Sequence, residues 1–231
     1  VTLNVPERHI MCFDPMTGKR GIAKTREVEG KTQVYMQLKS GESIILQTFT
    51  RSLQGEPEWK YRKEMDYSLS LDHGWKLKFV ESYPAIEGEF KIDTPSSWTE
   101  VAHPAAKINR GTALYSLELD LPELSADDWI LDLGDVCESA RVRINGQEVG
   151  VAWAAPFRLS IGQLLKPGKN LIEVEVTNLP ANSIAEMDRQ GKQWRIFEDI
   201  NMAKLNYEKG TYGHWETLPS GLNGIVRLIP V

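Results

Sequence analysis

The chain has 231 residues, a formal net charge of −5, 41% hydrophobic residues and 26% charged residues. This is the composition of a globular protein that buries a real core, and it excludes a disordered or fibrous chain. The acidic balance argues against nucleic acid as a partner, and the longest apolar runs fall far short of the roughly 20 residues of a membrane-spanning helix.

The beginning of the chain predicts a small antiparallel β module. In its first pair of strands, Pro15 presets φ and Gly18 accepts a positive φ, which favours a hairpin. The polar stretch 51–58 is typical of a linker, so this module is assigned to residues 1–57. Its apolar surface is small, and we expect it to pack on the following domain or on polypeptide that precedes Val1. Alternating polarity predicts its strands at 10–13, 21–28, 32–38 and 43–49.

Residues 58–231 predict a second, larger all-β domain. Its strongest turn signal is Asn145-Gly146, because both central positions of a type I′ hairpin turn require a positive φ. Many strands with frequent turns and little helix predict a β-sandwich. Alternating patterns place the strands at 74–80, 88–92, 112–122, 129–134, 139–144, 147–151, 157–161, 170–176 and 224–229.

A long excursion from Asn178 to Leu222 interrupts the strands. Apolar residues three or four apart predict one helix over 181–189, ended by Gly191, and a shorter one at 201–205. Loops of this length in compact domains are more often functional than idle.

The region from Thr112 to Asn178 resembles a known family. The order of its motifs is similar to the galactose-binding-like jelly roll called the sugar-binding domain of glycoside hydrolase family 2. Residues 178–182, 196–201 and 218–222 resemble the C-terminal end of bacterial enzymes related to family 106, the α-L-rhamnosidases, and residues 13–20 and 38–43 resemble the small β module that precedes this jelly roll. The motifs are Leu131-Asp132-Leu133-Gly134, Val142-Arg143-Ile144-Asn145-Gly146, Ala155-Pro156-Phe157-Arg158 and Val174-Glu175-Val176-Thr177-Asn178.

The resemblance implies an all-β fold, with a small antiparallel β module followed by a galactose-binding-like β-sandwich (jelly roll) that has a long, partly helical excursion. Such enzymes carry their catalytic carboxylates on a (β/α)₈ barrel, which the pattern of this chain does not provide. The implied role is therefore a non-catalytic C-terminal accessory region of a glycoside hydrolase for polysaccharide degradation. It would brace the catalytic barrel, and contact with carbohydrate is left open.

The upstream catalytic domain of the same polypeptide is the implied partner, and the implied location is periplasmic or secreted, in a bacterium. An autonomous carbohydrate-binding module is the alternative. No cofactor is expected, because the histidines lack metal-ligand spacing and no Ser or Cys lies in a nucleophile elbow. A structural Ca²⁺ occurs in many jelly rolls and is left open, although no Asp-rich loop requires it. Cys12 and Cys137 lie in different predicted domains, so no disulfide is expected.

Sugar recognition uses an exposed aromatic ring against the apolar face of a pyranose and polar side chains against its hydroxyls. Trp153 has a structural alternative, in which it plugs the end of the sandwich, and Trp215 has one in which it anchors the excursion. Trp75, Trp98 and Trp129 lie in strand patterns and are predicted to be core. The carbohydrate-binding candidates are Trp153, Arg158, Trp194, Glu198, Tyr212 and Trp215.

A glycosidase needs two carboxylates about 5 to 10 Å apart. The 32 acidic residues do not select such a pair, and no catalytic residue is assigned. Glu138 and Glu198-Asp199 are the most interesting acids, but acids in such turns commonly cap helices or pair with an arginine, here Arg141, Arg158 or Arg195.

Overall fold

β-strands make up nearly all of the regular structure, as the alternating sequence patterns predict. The computed structural model describes residues 1–123, 126, 128–195 and 210–231, apart from the side chain of Gln163. The chain is divided into two compact units, Val1–Glu64 and Met65–Val231. The all-β fold class is confirmed.

The unit Val1–Glu64 is built from two small antiparallel sheets. Its strands are β1 (Thr2–Leu3), β2 (His9–Phe13), β3 (Arg20–Ile22), β4 (Thr25–Val28), β5 (Lys31–Val34) and β6 (Ile45–Phe49), in the sheet orders β1-β5-β4 and β3-β2-β6. Ile10, Cys12, Ala23 and Val34 form its buried core. The predicted hairpin is present between β2 and β3, where the Asp14 backbone N–H donates to the Lys19 carbonyl at 2.9 Å.

The described residues of the unit Met65–Val231 contain the remaining strands, which are paired antiparallel in three sheets. The sheet orders are β14-β13-β16-β10-β8-β9, β15-β11-β18-β7 and β12-β17. The strands are β7 (Leu69–Ser70), β8 (Trp75–Tyr83), β9 (Glu89–Ile92), β10 (Arg110–Leu121), β11 (Trp129–Asp132), β12 (Val136–Cys137), β13 (Ser139–Ile144), β14 (Gln147–Ala152), β15 (Arg158–Ser160), β16 (Gly168–Thr177), β17 (Gly221–Leu222) and β18 (Arg227–Pro230).

The core of this unit lies between the inner faces of its larger sheets. In the first half of β8 every second side chain, Trp75, Leu77 and Phe79, is buried, because successive residues of a strand point to opposite faces. Trp75, Trp98 and Trp129 are all buried, which confirms their prediction as core residues. The Asn145-Gly146 hairpin is confirmed as well: it joins β13 to β14, with φ values of 53° and 79°.

Three two-residue strands of this unit, β7, β12 and β17, escaped prediction because elements this short have no measurable period. The same holds for the short 3₁₀ helices Trp98–Glu100, Pro104–Ile108 and Gly162–Leu164. The one α-helix of the described residues, α1 (Ala181–Arg189), has the bounds that the sequence predicts. Cys12 and Cys137 are free thiols, and burial raises the pKa of both.

Gly221 allows β17 to cross the core at very close range. A Cβ at this position would lie 2.1 Å from the Tyr115 hydroxyl oxygen and 2.8 Å from the Trp98 ring, at a φ of +94°. The same Tyr115 hydroxyl accepts the Leu222 backbone N–H at 3.2 Å. Any residue with a Cβ at position 221 would collide with Tyr115 and Trp98 in the core, so the returning end of the excursion requires glycine here.

We therefore expect Gly221→Ala to destabilise the chain much more than Gly168→Ala. At Gly168 the φ is +83° but nothing lies within 4 Å, so that control isolates the backbone strain, about 1 kcal/mol. At Gly221 the collision with Tyr115 adds about 2–3 kcal/mol. Urea unfolding monitored by circular dichroism measures both, and equal losses in the two variants would contradict the close packing.

Candidate functional site

The excursion from Asn178 to Leu222 leaves and re-enters the sandwich at one point. Asn178 follows β16 and donates its Nδ2 to Ser220 Oγ at 3.0 Å, while its Oδ1 accepts the Gly111 backbone N–H at 2.9 Å. Ser220 is buried, and its backbone N–H donates to Ser97 Oγ at 2.9 Å. These bonds tie the two ends of the excursion to the sandwich and to each other.

Beyond Asn178 and Ser220, a second set of hydrogen bonds joins the outgoing helix α1 to the returning segment. The buried Asn182 accepts the Leu218 backbone N–H with Oδ1 and donates from Nδ2 to the Leu218 carbonyl, both at 2.8 Å. The amide thus satisfies both polar groups of Leu218. Asn182, Ser183 and Ala185 are the buried side chains of α1, so the helix is held by hydrogen bonds and close approach rather than by large apolar groups.

The end of α1 turns the chain sharply back. Gly191 has a φ of +65°, its N–H donates to the Asp188 carbonyl at 3.0 Å, and the Lys192 N–H donates to the Met187 carbonyl at 2.8 Å. This pair of bonds is the Schellman motif, in which glycine takes the left-handed position after the helix. The predicted helix end at Gly191 is confirmed, and the turn places Trp194 beside the last turn of α1.

Asp188, in that last turn, joins the two segments that form the tip of the excursion, defined as residues 188–195 and 210–215. Its Oδ1 accepts the Trp194 indole N–H at 2.8 Å, and its Oδ2 accepts the backbone N–H groups of Gly213, at 3.2 Å, and Tyr212. The Trp194 hydrogen bond, followed by that of Tyr212, lowers the pKa of Asp188 below its ordinary value, and the Arg195 charge acts in the same direction. A carboxylate near a helix C-terminus opposes the helix dipole, so these donors offset an unfavourable position.

Two of the residues bound to Asp188, Trp194 and Tyr212, form an aromatic cluster together with Trp215, which contacts the Tyr212 ring. The Tyr212 ring centroid lies 5.6 Å from that of Trp194 and 4.6 Å from that of Trp215, and both pairs are tilted by 52°. The Arg195 guanidinium stacks over Trp194 at 4.9 Å and over Tyr212 at 5.2 Å. Trp215 is 40% exposed, so the cluster offers solvent a ring surface beside polar groups.

An open depression of about 240 Å³ lies beside the cluster. Asp188, Lys192 and Arg195 line it with charge, and Trp194 lines it with an aromatic ring. A ring next to carboxylate, ammonium and guanidinium groups is the combination that binds the apolar face and the hydroxyls of a sugar.

Three of the six predicted carbohydrate-binding residues, Trp194, Tyr212 and Trp215, are therefore brought together. Trp153 lies on the loop after β14, 61% exposed and without a ring contact to another described aromatic residue. The alternative in which Trp153 plugs the end of the sandwich is wrong, because the surrounding loop presents the ring to solvent.

Arg158 lies on a different element, the edge strand β15. It donates from Nε to Asp132 Oδ2 at 2.8 Å, and its Nη2 lies 2.6 Å from the same oxygen. This half-buried ion pair joins β15 to β11. The remaining candidate, Glu198, lies outside the described residues, as do Asp199 and the short helix predicted at 201–205.

Sequence reasoning missed Asp188 and Asn182. The signal that was available is positional: an acid in the last helical turn opposes the helix dipole, and an asparagine within a helix has a low helix propensity. Both side chains accept hydrogen bonds from backbone N–H groups more than twenty residues away in the sequence, and no local pattern reveals such partners.

No group of three or more metal-ligating side chains occurs within the described ranges 1–123, 126, 128–195 and 210–231. In the same ranges, no helix has the length and apolarity needed to cross a membrane.

Residues 92–222 match the model of the family described as glycosyl hydrolase 2 galactose-binding domain-like. A curated protein from Formosa agariphila, whose name proposes a beta-glucuronidase, is 30% identical over 197 residues, which cover 77% of this chain and 17% of that protein. The solved structure of a rhamnosidase from Novosphingobium sp. PP1Y matches with a TM-score of 0.75 and 25% identity, over 99% of this chain and 21% of that one. A beta-D-glucuronidase from Dictyoglomus thermophilum, at a TM-score of 0.50 and 18% identity over 74% of this chain and 29% of its own, shows the fold alone.

The named relatives are glycoside hydrolases, and the chain spans only 17% of the curated relative and 21% of the rhamnosidase structure. Their activities therefore belong to proteins several times longer than this chain.

We expect the order of the aromatic cluster to depend on the charge of Asp188. Because its folded pKa lies below the unfolded value, the carboxylate stabilises the tip above the ordinary pKa of aspartate, about 3.9, and this contribution is lost as the pH falls through the folded pKa. Near-UV circular dichroism of the cluster should therefore show an acid transition that Asp188→Asn abolishes.

The matched control is Glu216→Gln, which removes an exposed carboxylate from the same segment. It should keep the acid transition. An unchanged transition in Asp188→Asn would show that another group controls the tip.

Proposed function

The chain belongs to the glycosyl hydrolase 2 galactose-binding domain-like family, and from this premise we propose that it is a non-catalytic accessory region of a larger glycoside hydrolase. The observation that carries the proposal is the aromatic cluster Trp194–Tyr212–Trp215, fixed by Asp188 and partly open to solvent. In this role the cluster contacts carbohydrate, and the sandwich braces the catalytic domain of the same polypeptide.

The charges of the site support a binding role over catalysis. A glycosidase general acid needs a raised pKa, whereas the pKa of Asp188 is lowered, so Asp188 stays ionised and accepts hydrogen bonds. Asp132 is committed to its ion pair with Arg158. Within the described residues, strands follow strands without the alternating helices from which a catalytic barrel is built.

In the proposed site the rings of Trp194 and Trp215 pack against pyranose faces, and Lys192 and Arg195 bind hydroxyls. Trp153 provides a second exposed ring elsewhere on the sandwich. We retain Arg158 and Glu198 as proposed contacts, Arg158 because one face of its guanidinium can bind a sugar while Asp132 holds it in place.

The proposed parent enzyme is rhamnosidase-like and related to glycoside hydrolase family 106. Support comes from the likeness to the rhamnosidase structure, which extends over 99% of this chain and thus includes the small N-terminal unit. The proposal includes two domains, 1–57 and 58–231, and a periplasmic or secreted bacterial enzyme, since polysaccharides are degraded outside the cytoplasm.

An autonomous carbohydrate-binding module is the second candidate. It is favoured by the exposure of Trp153 and Trp215, which are 61% and 40% accessible. The two candidates differ in what the catalytic domain loses without this region. A bracing region is needed for the stability of that domain, whereas a binding module is needed only for action on polymer.

The deciding experiment deletes this region from the full-length polypeptide. We expect the melting temperature of the catalytic domain to fall and its turnover of a soluble aryl glycoside to be lost, and we expect the 231-residue chain alone to turn over no aryl rhamnoside or glucuronide. Full stability and full turnover after deletion would favour the binding module, and turnover by the chain alone would refute both candidates.

The carbohydrate contact has its own test on the chain as it stands. Titration calorimetry with rhamnose-containing pectic oligosaccharides should show binding that Trp194→Ala and Trp215→Ala weaken about tenfold, through loss of stacking area. The control is Tyr83→Ala, which removes an exposed tyrosine that also stacks with an arginine, Arg110, at 4.6 Å. Equal affinities in all variants would contradict a role for the cluster.

A further inference from the structure

The outward face of the sheet β1-β5-β4, in the unit Val1–Glu64, carries only positive charge. Arg26 pairs with Gln33 across β4 and β5, so the two side chains share a face, opposite to the buried Thr32 and Val34. Lys31 lies on the face of Gln33 because residues two apart in a strand share a face, and Lys24, which directly precedes β4, lines the same depression as Arg26.

No ion pair in the described part of the chain involves Lys24, Arg26 or Lys31. The nearby Glu27 alternates to the other side of β4 and pairs with Arg8. A chain with a net charge of −5 thus concentrates three cations, all exposed, on one short strand pair. The positive charges of these three side chains must therefore be neutralised by ions from solution or by a bound ligand.

The face also holds an aromatic ring in a fixed position. Tyr35 is 54% exposed, and its centroid lies 4.9 Å from that of Tyr61. The Tyr61 hydroxyl accepts the Lys24 backbone N–H at 2.8 Å and donates to the Tyr35 carbonyl at 3.2 Å. Tyr61 therefore joins the ends of both strands, and its ring contacts that of Tyr35, more than half of which stays open to solvent.

The Arg26 guanidinium is positioned as well. Its Nε donates to Gln33 Oε1 at 2.8 Å, and Gln33 Nε2 donates in turn to Thr2 Oγ1 at 3.1 Å. This relay across three strands holds the guanidinium above the sheet. An open depression of about 570 Å³ lies here, lined by Lys24, Arg26, Gln33, Tyr35 and Met36.

The combination selects a ligand with a flat apolar face and a planar anion. The open side of Tyr35 matches the apolar face of a pyranose, and the fork of Arg26 matches a carboxylate. A sheet face does not offer the converging backbone N–H groups that form many phosphate sites, because its N–H groups lie in the plane of the sheet, so the anion here is bound by side chains alone.

We propose that this face is a binding subsite for a carboxylated oligosaccharide, with Tyr35 as the stacking ring and Lys24 and Arg26 as the groups that bind carboxylate. The inference rests on the proposed function, since it takes the ligand to be a saccharide. It adds a second site, on another unit than the aromatic cluster and with a charge preference of its own.

The test titrates the 231-residue chain with hexagalacturonate, cellohexaose, a sulfated dextran oligomer and a DNA duplex. We expect hexagalacturonate to bind, to weaken about tenfold in Lys24→Gln/Arg26→Gln and in Tyr35→Ala, and to weaken with added salt. The matched control is Lys166→Gln/Lys169→Gln, which removes two exposed positive charges from the other unit and should leave affinity unchanged.

Several outcomes overturn the inference. One is that the Lys24→Gln/Arg26→Gln variant binds hexagalacturonate as tightly as the wild type does. Another is that the wild type binds cellohexaose, sulfated dextran or DNA as tightly as it binds hexagalacturonate. If Trp194→Ala abolishes hexagalacturonate binding and Lys24→Gln/Arg26→Gln does not, the inference fails while the proposed function stands. The deletion experiment on the full-length polypeptide tests the proposed function independently.

Discussion

Side chains of the outgoing arm of the excursion that hydrogen-bond to its returning arm shape the functional end of this protein. Asn178, Asn182 and Asp188 follow one another along the outgoing arm of the excursion. On the returning arm they bind the Ser220 hydroxyl, the Leu218 backbone, and the backbone N–H groups of Tyr212 and Gly213, respectively. Each bond fixes a pair of positions in space. The aromatic cluster lies at the end of this series, so its geometry depends on every bond beneath it.

In the described part of the excursion, residues 178–195 and 210–222, these hydrogen bonds hold α1 in place of large buried apolar side chains. The buried side chains of α1 are Asn182, Ser183 and Ala185, which offer little apolar area. Buried polar groups cost free energy unless they are paired. The Asn182 amide is paired only when it lies opposite Leu218, so this register of the two arms is more stable than one shifted by a residue. The anchoring is therefore specific even though it is not strongly hydrophobic, and it keeps large rings such as Trp215 available at the surface.

Much of the sandwich was predictable from sequence because its signals are local. Period-two alternation located β8 and β13, and the Asn145-Gly146 dipeptide located the hairpin between β13 and β14. Gly191 marked the end of α1. The aromatic candidates Trp194, Tyr212 and Trp215 were chosen for their place on a long excursion, and the structure brings them together. What escaped prediction is long-range: β12 pairs with β17 across more than eighty residues, and the roles of Asp188 and Asn182 exist only once the returning arm is in place.

Amide hydrogen exchange on the chain tests the central claim most directly, because it reads the bonds whose donors are backbone N–H groups of the returning arm. At neutral pH the backbone amides of Leu218, Tyr212 and Gly213 should be protected by about a hundredfold or more over an unstructured chain, like the core amide of Leu222. Exchange of Leu218 and Tyr212 at the rate of an open loop, with Leu222 still protected, would contradict the account, because the arms would then not be joined and the aromatic cluster would have no fixed geometry.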